Sequence, residues 1–298
     1  HPSVLTKGYR MSLDYALSEI ESISRSSDVD DLIRVVGTSL SGKISEDTRT
    51  SLSELAVDAA KIAYKRSNRE SIDPNDIKRI TIRGGGVSDS ERIDGIIMRK
   101  TRLDSQTPAK LAAGKVLILD GGLDPKELSL DASIRITEPG MLARFIERQK
   151  KELQDRVQAI ADVGTNLLIV RDGVNDDAIP MLRKAGIVTY RRVERDDLEL
   201  IARACGASII RDTRGIDSDS LGNFESVKEE SWESVDHVRI HGSVGSGQTV
   251  IIRGSTQSIL EETMRAFDDA IGVACGLVED SSILPGGGAI QIALARRL

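Results

Sequence analysis

Four stretches of this chain combine residue types that could do chemistry. In VVGTSLSGKI, Gly37, Gly42 and Lys43 have the G-x-x-x-x-G-K spacing of a phosphate loop. Such a loop needs a strand before it and a Ser or Thr after the lysine to hold Mg²⁺. Here Ile44 follows the lysine, DDLIRVV reads as helix, and the next helix begins only after Ser45. These departures count against a P-loop NTPase. Lys43 on a short loop between helices can still reach a phosphate from outside.

In ETMRAFDDAIGVACGLVED, Leu260, Met264, Phe267, Ile271, Ala274 and Val278 repeat at alternating spacings of four and three, one helical seam. At about 100° per residue, Asp268 falls on the flank of that seam and Asp269 nearly opposite it. A carboxylate held on a rigid helix and aimed away from the core can position or deprotonate a water. A solvated surface aspartate has the same pattern. A few residues on, ILPGGGAI breaks the chain at Pro285 and leads through Gly286–Gly288 into a fresh helix. Helix N-terminal amides attract anions and glycine permits close backbone approach, although the same residues can simply turn the chain.

The remaining candidates are weaker. HGSVGSGQTV has glycines at 242, 245 and 247, but strand patterns flank it on both sides, so a hairpin turn is expected rather than a dinucleotide loop. His237 and His241 are four apart, a spacing that does not converge in a strand. In MLARFIERQKKELQDRVQAIADVG, Leu153, Val157 and Ile160 form a packing stripe. Met141, Leu142, Phe145 and Ile146 form a second apolar group beyond the polar run ERQKKE. That group is either core or the exposed end of an arm that meets a partner.

The elements that must position these residues fall into three blocks. The first 80 or so residues are helical, with Asp28 and Ser45 as N-caps and Leu52, Leu55, Ala59 and Ile62 as one stripe. After Gly84–Gly86, a hinge-like run, the short apolar strands GKVLILD, NLLIV, GIVTYRR and ASII alternate with helices. That βαβ rhythm implies a parallel or mixed sheet with packed helices. Helical periodicity returns after QTVIIRG. The fold class is therefore α/β, with an α/β domain inserted into a helical one.

Composition narrows the function. The 298 residues carry a net charge of −6 and only 3% aromatics, which argues against a nucleic-acid binder. There are three histidines and two cysteines; Cys205 and Cys275 lie in apolar helical contexts, so buried thiols are expected, with no zinc site and no disulfide. No long apolar run or signal-peptide pattern occurs, so a cytoplasmic protein with no membrane partner is expected. The sequence starts on His1 rather than Met, so a piece of a longer chain is expected.

Taken in order, HPSVLTKGY, TSLSGK, GGGVSDSERIDGIIM, KVLILDGGL, KAGIVTYRRVERDDLELIARACGA, TVIIRG, AFDDAI and LPGGGAIQIALARRL resemble the group II chaperonins, the archaeal thermosome and its eukaryotic cytosolic relatives. The resemblance covers essentially the whole chain. It implies equatorial edges at 1–27 and 285–298, a helical intermediate domain at 28–84 and 248–284, and an α/β apical domain at 85–247 carrying a helical protrusion. It also implies roles. Asp269 would orient the water attacking the γ-phosphate of ATP, Lys43 would sense that phosphate, and Gly287 and Gly288 would contact the nucleotide. Met141, Leu142, Phe145 and Ile146 would form the lid tip that meets clients.

The implied partners are non-native proteins and further subunits in a double ring, and the implied cofactors are ATP and Mg²⁺. The chain departs from the family at RKTRLDSQTPAKL, where a His-Pro-Gly-Met-Pro type stretch is usual. The family's Gly-Asp-Gly-Thr-Thr element, which carries the Mg²⁺ aspartate, would precede His1, and further equatorial sequence would follow Leu298. The chain by itself is therefore expected neither to bind ATP tightly nor to hydrolyse it. An ATP-independent holdase or assembly module is the alternative.

Overall fold

The computed structural model describes residues 1–66, 71–124, 141–244 and 247–297. They divide into two compact units, His1–Pro74 with Glu261–Leu298, and Asn75–Leu260. The first unit opens with α1 (Pro2–Ile23) and the two-residue strand β1 (Arg25–Ser26), followed by α2 (Val29–Ser39) and α3 (Glu46–Arg66). Asp28 starts α2 through a capping box: its side chain accepts from the Asp31 amide at 2.8 Å. Two of the helix's orphan N-terminal donors are satisfied in this way.

Helices α2 and α3 pack on each other. Leu32, Val36 and Leu40 are buried on the first, and Leu52, Ala56, Val57, Ala59, Ala60 and Ala63 on the second. The stripe expected on α3 is therefore rotated. Leu55 and Ile62 are only half-buried, and small alanines take the buried face. Alanine lets helices approach closely, which a count of large apolar residues does not register.

The second unit begins with β2 (Lys78–Arg83), β3 (Glu91–Asp94) and β4 (Ile96–Met98). It continues with β5 (Lys110–Leu111), β6 (Gly114–Leu119), α4 (Met141–Asp162) and β7 (Leu167–Val170). Next come α5 (Ala178–Lys184), β8 (Val188–Tyr190), α6 (Arg195–Cys205) and β9 (Ile209–Ile210). Three longer strands complete it: β10 (Gly222–Trp232), β11 (Val235–Gly242) and β12 (Gln248–Gly254).

Strands β6, β7 and β8 run parallel, and β9 pairs with the other edge of β6. Alternate residues of β6 serve two cores. Val116 and Ile118 meet Leu198, Ile201 and Ala204 of α6, while Leu117 and Leu119 meet Leu153, Val157 and Ile160 of α4. Helices on both faces explain why residues 116–119 of β6 and all of β7 are continuous apolar runs rather than alternating. Gly242 completes the α6 side: a Cβ there would overlap the Ala204 carbonyl oxygen, so only glycine fits.

One expectation fails here. Strands β11 and β12 do not pair as a hairpin. β11 joins β10 and β4 in the large sheet, whereas β12 lies between β2 and β3 in a separate three-stranded sheet. The residue types of SVGSG suit a tight turn, but partners far along the chain decide which sheet each flanking strand joins.

The chain closes with α7 (Gln257–Glu279), β13 (Ser282–Ile283) and α8 (Ala289–Arg297). The seam on α7 holds at its centre: Leu260, Phe267, Ile271 and Ala274 are each at most 2% exposed, while Met264 and Val278 are half-buried. Cys205 and Cys275 are buried as expected and not linked to each other; burial pushes the Cys205 thiol up to about 12, which removes it from thiolate chemistry.

Candidate functional site

The first unit brings together two residues 226 positions apart in sequence. The Lys43 ammonium donates to the Asp269 carboxylate at 2.5 Å. Each side chain is set by its element. Lys43 lies on the turn after α2, where Gly42 takes a left-handed φ of +77° and reverses the chain. Asp269 lies on the outer face of α7, flanked by the buried Ala270 and Ile271, so the helix is anchored while the carboxylate is not. The two side chains are 40% and 60% exposed. An ion pair this open to water contributes at most about 1 kcal/mol to stability. Its value is positional: a cation and a carboxylate presented together on two rigid elements.

The phosphate-loop spacing does not form a phosphate loop. Gly37 lies inside α2, where a Cβ would approach the Ser53 hydroxyl of α3 to 3.3 Å. The residues leading directly into it belong to α2 rather than to a strand, and α3 starts at Glu46. Gly37 is a helix-packing glycine, and the P-loop NTPase reading is excluded on geometry.

Gly287 and Gly288 both take left-handed φ, +67° and +82°, immediately before α8. A Cβ on Gly287 would meet nothing within 4 Å, so the backbone conformation rather than crowding calls for glycine. The flanks of this loop are tied down by contacts with no sequence signal. Just before it, β13 pairs antiparallel with β1, matching Arg25 to Ile283 and Ser26 to Ser282. Just after it, Arg297 of α8 forms an ion pair with Glu19 of α1. The Ser282 hydroxyl, together with the Ser282 amide that donates to Asp280 at 2.9 Å, holds the Asp280 carboxyl below the usual range. No hydrogen bond or ion pair joins the two glycines to Lys43 or Asp269 among the described residues.

A further contact fixes the base of this unit. Arg25 grips Asp31 with two guanidinium nitrogens, at 2.5 and 2.9 Å, and holds that carboxyl down at about 2. The bidentate fork links β1 to the start of α2. Sequence reading assigned Arg25 and Asp31 no role, because the pairing depends on the two-residue strand between the helices.

Of the apolar tip residues, the side chains of Met141 and Leu142 lie outside the described residues. Phe145 is half-buried and Ile146 is 55% exposed, whereas Leu153, Val157 and Ile160 farther along α4 are buried. The two halves of α4 thus differ: the second packs on the sheet, and Ile146 in the first does not.

The TCP-1/cpn60 chaperonin family model matches residues 1–298. Thermosome subunit alpha of Archaeoglobus fulgidus is 37% identical over 303 residues, covering all of this chain and 56% of that protein. Thermosome subunit beta of Thermococcus kodakarensis is 35% identical over 303 residues, with the same two shares. The chain thus spans just over half the length of these relatives. Among solved structures, the open-state monomer of a group II chaperonin from Methanococcoides burtonii superposes with a TM-score of 0.82 at 25% identity. That match covers all of this chain and 69% of that one. The chain belongs to the TCP-1/cpn60 chaperonin family, on its group II branch.

Proposed function

We propose that this chain is the hinge and client-handling part of a chaperonin subunit that folds non-native proteins, with ATP closing a built-in lid. Residues 28–84 and 248–284 form the intermediate domain in this reading, 85–247 the apical domain, and 1–27 with 285–298 the equatorial edges. The observation that carries it is the Lys43–Asp269 pair. Asp269 orients the water that attacks the γ-phosphate, and Lys43 senses that phosphate. The lysine rests on the carboxylate. A phosphate arriving between them competes for the ammonium and leaves the carboxylate to the water. Loss of that ion pair is the local event that starts a rigid-body hinge motion. Gly287 and Gly288 let the backbone approach the nucleotide.

ATP would be the substrate, and Mg²⁺, when bound with it, would supply charge neutralisation at the transferred phosphoryl group. No cluster of three or more metal-ligating side chains occurs among the described residues, so none of them is assigned to Mg²⁺. By itself the chain neither binds ATP tightly nor hydrolyses it. Calorimetric titration with ATP and Mg²⁺ tests that point, and micromolar binding would contradict it. Further subunits in a double ring and a cytoplasmic location belong to the same proposal. No helix among the described residues is long and apolar enough to cross a membrane.

The exposure of Ile146 on α4 favours one second reading, an ATP-independent holdase. The two separate in an aggregation assay with an unfolded client and a full-length subunit carrying this chain. Folding released by ATP supports the proposal, whereas suppression of aggregation indifferent to ATP supports the holdase.

A further inference from the structure

In the second unit, three connections meet around an open cleft of about 520 Å³: the loop after β4, the loop after β8, and the turn between β10 and β11. Arg99, Lys100, Arg102, Arg191 and Arg192 line it, against the single carboxylate of Asp236. Arg102 is the one cation of the five with an acidic partner. Glu229 takes its Nη1, its backbone amide at 2.9 Å, and the Tyr190 hydroxyl at 3.1 Å. That carboxylate is fully engaged and cannot neutralise the others. Lys100 donates only to the Arg192 carbonyl. No carboxylate pairs with Arg99, Arg191 or Arg192 among the described residues. The Arg102 Nε is buried with no acceptor.

The protein as a whole carries a charge of −6, so this cleft has the opposite sign to its surroundings. Like charges gathered on one wall repel, and a bound anion relieves the repulsion. Arginine outnumbers lysine four to one, which suits planar, bidentate recognition of oxyanions. Two of the rim residues, Arg192 at φ 55° and Ser234 at φ 66°, hold left-handed backbone that non-glycine residues rarely adopt.

We propose that this cleft binds a condensed oligophosphate. The volume falls in the range of small-ligand sites. The lining carries four cations without an acidic partner among the described residues, matching a ligand with one charge per phosphate. No aromatic side chain lines it to stack a base; the Trp232 ring meets His237 at a tilt of 41° instead, with centroids 4.8 Å apart. That disfavours a nucleotide. The near-absence of apolar lining, apart from Leu103 and Val235, disfavours a peptide.

The test is calorimetric titration of the chain with sodium triphosphate at low salt, alongside ATP and a hexaglutamate peptide. Variants are Arg99→Ala/Arg191→Ala and, as a control on an exposed helix of the other unit, Arg10→Ala. Triphosphate is expected to bind at one site. The double variant weakens it by about tenfold per arginine, and the control leaves it unchanged. Arg99 and Arg191 are not buried and have no acidic partner to orphan, so the variant folds; circular dichroism verifies this. Absence of triphosphate binding overturns the proposal, as does binding that the double variant leaves intact. Arginine-dependent binding that is tighter for ATP or hexaglutamate overturns it in favour of a nucleotide or an acidic peptide.

Discussion

The two units hold their important residues in opposite ways. In the second, helices cover both faces of the β6–β7–β8 sheet, and β7, β8 and residues 116–119 of β6 are fully buried. In the first, α1 and α8 have no buried residue among those described, and the Lys43–Asp269 pair lies open to water. Dense packing makes the second unit sensitive to any change of shape. The first unit's site draws its geometry from where helices and turns place a side chain rather than from what surrounds it. Stability and function should therefore be separable in the first unit and inseparable from packing in the second.

The strongest challenge to that contrast is Phe224→Ala. Phe224 is 1% exposed within the α6-side core, so its loss should cost about 3–5 kcal/mol in denaturant unfolding. A loss below about 1 kcal/mol would mean the core is not close-packed. Gly242→Ala comes next. The added methyl meets the Ala204 backbone, which cannot rotate away, and the overpacking should cost about 1–3 kcal/mol.

Gly287→Ala sharpens the comparison, because the added methyl there meets open space. Only the left-handed backbone resists it, at about 1–2 kcal/mol. Amide exchange should quicken around residues 284–297 while the unfolding of the second unit stays put. Equal destabilisation of both units would erase the distinction.

How much of this was legible in the sequence depended on distance along the chain. Local signals worked: the Asp28 cap, the α7 seam and the apolar strands all follow from residue type and short spacing. Where they failed, the cause was tertiary. SVGSG has turn chemistry, yet which sheet receives the next strand is decided by partners far away, so β11 and β12 separate. Alanine-rich packing on α3 outweighed its larger side chains. The contact between Lys43 and Asp269 has no spacing signature at all. Local pattern picked out each residue, family resemblance gave it a role, and the fold supplied their contact. The Arg99–Arg192 cleft went unseen because its arginines come from separate loops.

Two smaller effects complete the series. Lys43→Ala should change stability by no more than about 1 kcal/mol, since both partners are well exposed. A larger loss would make the pair structural. The Arg25–Asp31 fork is lost only in acid. Its folded carboxyl, at about 2, lies below the ordinary 3.8, so its contribution is complete above about pH 4 and lost as pH falls through 2. Unfolding curves of the Asp31→Asn variant and the parent should differ at pH 6 and converge near pH 2. Curves that stay parallel would assign the loss to the helix cap instead.

The most direct test is steady-state ATP hydrolysis by a full-length subunit carrying this chain, with and without Asp269→Ala. If Asp269 orients the attacking water, hydrolysis should fall by at least about 10²-fold while the melting temperature barely moves. Hydrolysis at the parental rate would contradict the account.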